Sequence, residues 1–278
     1  MARRQAEPVE EPEAGRRREG QGVVAPQAEF EDTFENGTLD PGRWLPWYLP
    51  QWSSRERAAA RYEVGGGRLR LLIAADQEPW CPELDGETRV SSLQTGVFAG
   101  PLGSRIGQHR FHEAAVVTEE QPESRLYTPR YGRVELRARI APDPATMGAL
   151  WLIGFEDEPQ RSGEICVCEL FGRDAGWSEA GVGMGIHPFG DPELADDHEL
   201  VRLPLDVSDF HVYAAEWRPG RATFCVDEQV VKESGQAPDY PLQLMLDIYE
   251  FPESAERPPE DYPKVFEVDY VRGYALDG

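Results

Sequence analysis

The amino-acid sequence predicts an all-β protein, a sandwich or barrel of antiparallel sheets. Three observations carry this. Short runs with strand periodicity recur from Phe30 onward, each bounded by Gly, Pro or Asp. The 24 prolines and 27 glycines favour turns over helices. No segment sustains an amphipathic helical pattern for three turns. A length of 278 residues suits one such domain with a tail.

Taken in order, the first 25 residues hold five Arg and five Glu and almost nothing apolar. Residues 1–27 are therefore expected to be a disordered charged tail, and residues 28–278 the folded domain. The tail has no apolar core of a signal peptide despite Arg3 and Arg4. The chain as written thus reads as cytoplasmic, and as secreted only if an upstream signal precedes it. Residues 53–64 carry the pattern of a short helix. Residues 68–74, after three glycines, read as a strand.

Residues 132–140 alternate Val134, Leu136, Ala138 and Ile140 with charged residues, as a half-buried strand does. Residues 148–155 and 164–171 are nearly continuous apolar runs, expected of strands covered on both faces. Residues 210–217 alternate again. Residues 221–233 read as a hairpin turning at Asp227 and Glu228, and residues 241–251 and 264–275 close the sheet set. The acidic segments 189–200 and 250–263 read as solvated loops.

The formal net charge of -23 disfavours nucleic acid and anionic membranes as partners and suits a neutral ligand. No run of 18 apolar residues is present. Four cysteines in a chain this long are no disulfide framework. They read as reduced thiols, with a Cys81–Cys225 bridge left open and Cys166 and Cys168 too close to pair. Neither CxxC nor HExxH occurs, so the motifs give zinc no support.

The chemistry concentrates in "RSGEICVCELFG", residues 161–172. Glu164 and Glu169 are five apart. On a regular strand an odd spacing sends two side chains to opposite faces. One inserted residue, a bulge, returns them to the same face.

The order of the pieces resembles glycoside hydrolase family 16, the laminarinase and lichenase type β-glucanases. The resemblance rests on "FEDTFENGTLDPGRW", "YGRVELRARI", "ALWLIG", "GEICVCE", "FHVYAAEWRPGRATFCVDEQVV" and "FEVDYVRGYA" in that sequence. It implies a concanavalin A-like β-jelly-roll of two antiparallel sheets. It also implies a retaining glycoside hydrolase, or transglycosylase, acting on β-linked glycosidic bonds, with an oligo- or polysaccharide or another glycoside as partner and the chain a monomer. Glu164 would be the nucleophile and Glu169 the acid/base, its apolar neighbours suiting a raised pKa. Cys166 stands where the family has Asp, so a neutral thiol replaces a carboxylate beside the nucleophile. A nucleophilic role for Cys166 itself is disfavoured, because the sequence identifies no His or cationic partner.

Two further departures, Met147-Gly148 before Trp151 and "DIYEFP" at residues 247–252, alter the expected cleft. Trp151, His187, Trp177, Trp52, Tyr48 and Tyr249 are the expected sugar-contacting residues, aromatic rings stacking on the apolar faces of sugars. His109, His112, His198 and His211 read as ordinary surface or core residues. No cofactor is required. The resemblance implies a possible structural calcium, with Asp269 the one ligand named. Two other functions stay open: a carbohydrate-binding protein with impaired catalysis, or an intracellular enzyme for a small glycoside or specialised metabolite.

Overall fold

The computed structural model describes residues 27–176, 178–252 and 258–276. The tail expected over residues 1–27 lies, but for its last residue, outside them, and so does Trp177. Sixteen strands run along the described chain: β1 (Phe30–Asp32), β2 (Arg61–Val64), β3 (Leu69–Ile73), β4 (Arg89–Gln94), β5 (Gly96–Val97), β6 (Ser124–Arg125), β7 (Gly132–Ile140) and β8 (Thr146–Gly154), then β9 (Glu164–Phe171), β10 (Ala180–His187), β11 (Glu199–Leu203), β12 (His211–Arg218), β13 (Arg221–Val226), β14 (Gln229–Ser234), β15 (Leu242–Glu250) and β16 (Lys264–Tyr274). One sheet has the order β14-β13-β12-β7-β16-β3-β2, with β1 paired to β16. The other has the order β11-β10-β9-β8-β15-β4. All pairings in both are antiparallel, so the expected two-sheet sandwich is the fold.

The core lies between the sheets because each strand alternates. On β7 Val134, Leu136, Ala138 and Ile140 point inward, while Arg137 and Arg139 reach Asp269 and Glu267 across the outer face. Trp44 and Trp217 join this core. β8 is buried at all nine positions because both its faces are covered. Leu150 and Leu152 enter the sandwich core, whereas Met147, Ala149, Trp151 and Ile153 meet a second cluster on the opposite face, formed by loops carrying Tyr48, Leu49, Trp52 and Trp80. Each fully buried large side chain contributes about 1.5–3 kcal/mol, so these loops are held by packing rather than by local propensity. The second face of the six-stranded sheet carries the site.

Two local expectations resolve differently. The hairpin at β13–β14 turns at Asp227 and Glu228, both with positive φ (47° and 66°), a geometry that matches the twist of the flanking strands. Residues 53–64 do not form a helix. Ala58 N–H donates to Ser54 O in a single turn. The Ala58 carbonyl then accepts from Tyr48 N–H, and Ala60 N–H donates to the Pro46 carbonyl, so pairing with residues 46–48 takes the backbone groups a helix would need. All four cysteines are buried and free.

Candidate active site

On β9, Ile165, Val167, Cys168 and Leu170 all enter the sandwich core. Two adjacent residues, Val167 and Cys168, therefore face the same way. The pairing with β8 slips at this point, Trp151 opposing Cys166 and Leu150 opposing Cys168. This is the bulge that the odd spacing requires, and it puts Glu164, Cys166 and Glu169 together on the opposite face. An oxygen of each carboxyl and the Cys166 sulfur lie within 4.8 Å of one another. Cys166 Sγ donates to Glu164 Oε1 at 2.8 Å.

The neighbours come from three other strands and three loops. Asp247, on β15, accepts a hydrogen bond from Trp151 Nε1 of β8. His187 closes β10. His198 Nε2 lies 2.9 Å from Glu169 Oε2. The contact depends on two glycines of β10: a Cβ on Gly183 would come within 2.9 Å of His198 Nε2, and one on Gly185 within 2.6 Å of its Cα. Tyr48, His109, Trp151, His187, Phe189 and Tyr249 line a cleft of about 250 Å³ around the two glutamates.

Burial sets the electrostatics. Glu164 is 4% exposed. Loss of solvent pushes its carboxyl up to about 8, the thiol of Cys166 pulling it down and the charges of Glu169 and Asp247 pushing it further up. Burial likewise raises Asp247 to about 7. The Cys166 thiol is held well above its ordinary value by burial first and by Glu164 and Glu169 next, so it stays protonated and acts as a donor. Burial lowers His109 to about 4, with His187 adding to the effect. Burial is thus the main cause of the upward shift at Glu164. Glu169 meets an imidazole instead of the apolar environment its sequence neighbours implied.

Of the expected sugar-contacting residues, Trp151, His187, Tyr48 and Tyr249 line the cleft with the glutamates. Trp52 does not. It is 1% exposed and its Nε1 donates to Gln108 O at 2.8 Å, so it anchors the loop beneath the cleft wall. Asp269 lies on the outer face of the other sheet, its carboxylate engaged by Arg137 and 3.9 Å from Arg68 Nε. Met147 and Phe251, from the two departing segments, both reach the cleft. Gly148 points to the core, where a Cβ would lie 2.7 Å from the Phe266 ring.

Sequence reasoning missed His198, His109, Phe189 and Asp247. His198 and Phe189 fall in an acidic segment read as a solvated loop. The available signal was "GVGMGIH", whose glycines on alternate residues mark a strand that a neighbouring chain segment crosses closely.

A bulged acidic pair in a cleft lined by aromatic rings is an arrangement suited to glycosidic-bond cleavage. The model for Glycosyl hydrolases family 16 matches residues 121–258 of the chain. The chain is 22% identical over 268 residues to glucan endo-1,3-beta-glucosidase A1 of Niallia circulans, covering 88% of this chain and 37% of that protein. It is 29% identical over 168 residues to the beta-glucanase of Rhodothermus marinus, covering 52% of this chain and 57% of that one. A GlcNAcα1-4Gal-releasing endo-β-galactosidase from Clostridium perfringens superposes with a TM-score of 0.77 at 26% identity, over 93% of this chain and 64% of that one. The laminarinase of Rhodothermus marinus has the same fold, at a TM-score of 0.60 and 21% identity over 90% of this chain and 98% of that one. The chain thus spans under two thirds of the two curated relatives and of the galactosidase.

Proposed function

We propose that the chain is a retaining glycoside hydrolase that cleaves β-linked bonds within a glycan. One observation carries the reading: Glu164 and Glu169 share a face with carboxyl oxygens within 4.8 Å of each other. Retaining enzymes hold their two carboxyl groups roughly 5–5.5 Å apart, whereas inverting enzymes separate them by about 6.5–9.5 Å to admit a water. Glu164, as carboxylate, attacks the anomeric carbon. Glu169 protonates the departing glycosidic oxygen and then takes a proton from the water that releases the glycosyl enzyme. Hydrogen bonding from Cys166 favours the ionised form of Glu164, so a neutral donor does this work where the family has Asp. Burial pushes the Glu164 carboxyl the other way, toward its protonated form, and the Cys166 hydrogen bond opposes that push. Trp151, Tyr48 and Tyr249 supply the stacking surface for the sugar.

The test is covalent trapping. A panel of 2-fluoro glycosides and glycosyl epoxides built on β-galactosyl and β-1,3-glucosyl units, the chemistry named for the relatives, is incubated with the chain. Peptide mapping by mass spectrometry then locates the label. Label on Glu164, absent in Glu164→Gln, is the expected result. Glycan binding without any label would make the chain a carbohydrate-binding protein instead.

A further inference from the structure

The cleft holds a second arrangement that glycoside cleavage does not require. Cys166, His187 and His198 each offer a ligand atom, and these atoms lie within 4.8 Å of one another. The two imidazoles stack, with centroids 4.6 Å apart and planes at 21°. Asp196 organises both histidines. Its Oδ1 lies 3.2 Å from His187 Nδ1 and accepts the backbone N–H of His198 at 3.1 Å. A carboxylate this near Nδ1 favours a proton there and leaves the lone pair of Nε2 free, the usual outer-shell support of a metal-bound histidine. Glu169 Oε2, 2.9 Å from His198 Nε2, is placed to be a fourth ligand.

We propose that Cys166, His187, His198 and Glu169 form a binding site for a zinc-type divalent cation, and that an ion bound there closes the catalytic cleft to substrate. One thiolate, two imidazoles and a carboxylate are a donor set that suits zinc and its close relatives and does not suit calcium or magnesium. Around a tetrahedral zinc, ligand atoms sit roughly 3.3–3.6 Å apart, so Cys166, His187 and His198 close on an ion with side-chain shifts on the order of 1 Å, and Glu169 turns in from beside His198. On binding, the Cys166 thiol gives its proton to solvent and its sulfur bonds to the metal. The hydrogen bond to Glu164 is lost, and Glu169 can no longer act as acid. No zinc motif marks the site in the sequence, because the ligands come from β9, the end of β10 and the loop after it.

The closure rests on the hydrolase reading; the ion site does not. The probe is Co²⁺, titrated alone into the full chain and followed by absorption. The expected result is a near-ultraviolet thiolate-to-cobalt band with visible bands of tetrahedral intensity. These saturate at one ion per chain, vanish on addition of Zn²⁺, and are lost in Cys166→Ser. His187→Gln and His198→Gln, which leave the buried strand untouched, carry the test if Cys166→Ser fails to fold. Asp196→Asn should weaken binding by about 10- to 100-fold. No thiolate band, or one that survives in Cys166→Ser and in both His variants, overturns the site whatever the glycosidase activity. Full turnover at saturating Zn²⁺ overturns the closure. A site that binds Co²⁺ as described in a chain that no glycosyl inhibitor labels would defeat the hydrolase reading alone.

Discussion

β7 and β9 lie in opposite sheets and each carries glutamate, yet the two strands treat the residue in contrary ways. β7 keeps strict alternation, so Glu135 stays on the outer face and pairs with Arg133 at 2.8 Å, both side chains partly exposed. β9 breaks alternation at Val167 and Cys168, and the break collects Glu164 and Glu169 on a face that loops then cover. On β7 a carboxylate is solvated and matched by a guanidinium. On β9 Glu164 has a thiol for its hydrogen-bond donor and two other acids nearby. One inserted residue, not the type of residue, separates a surface ion pair from a reactive pair.

The largest effect that separates the two strands is catalytic. Glu164→Gln and Glu169→Gln should each lower kcat by about 10²- to 10⁴-fold with unchanged circular dichroism. Glu135→Gln on β7 should leave kcat as it is. Steady-state rates on whichever glycan the trapping experiment identifies make the comparison, and a matching loss in Glu135→Gln would erase the distinction.

Next comes stability against pH. The folded pKa of Glu164 is raised from the ordinary 4.5 to about 8. Between those values the unfolded chain has released the proton that the native state keeps, so stability falls as pH rises. The contribution is full below about 4.5 and is lost by about 8, and Asp247, raised to about 7, adds in the same direction. Glu164→Gln should flatten the fall of Tm across this window and leave the variant more stable than the parent at its upper end. An identical Tm profile in the two proteins would mean that Glu164 is solvated after all.

Smaller again is the effect of the thiol. Cys166→Ala removes the donor to Glu164 and should move the acid limb of kcat/KM to higher pH, by less than about one unit because a thiol is a weak donor. Cys166→Asp places a further carboxylate in the same buried position and should move the limb the same way, with a larger loss of Tm. A limb that stays put in both variants would detach Cys166 from Glu164. The smallest effect belongs to the outer face. Asp269→Ala, which breaks partly exposed pairs, should change unfolding free energy by about 0–1 kcal/mol, measured by urea titration.

The periodicity of residues 132–140, the double-faced runs at residues 148–155 and 164–171, and the hairpin at Asp227 and Glu228 were legible because each depends on side-chain alternation or local turn chemistry. The same parity argument, applied to Glu164 and Glu169, requires a bulge from their spacing alone if the two acids are to meet. Which aromatic rings reach the cleft was legible only in part. Tyr48 and Trp52 sit in one short loop, and only packing against β8 and Gln108 decides that the first lines the cleft and the second anchors the wall.

What the sequence by itself determined is the sandwich, the acidic pair and the thiol between its members, since strand period and residue order are properties of the chain. Only the tertiary structure decided that Glu164 rather than Glu169 is the desolvated acid. The same holds for His198, brought from an acidic loop onto Glu169, and for Asp269, paired with Arg137 across the outer face. Burial and through-space charge are set by segments far apart in sequence, and no local pattern records which of them will meet.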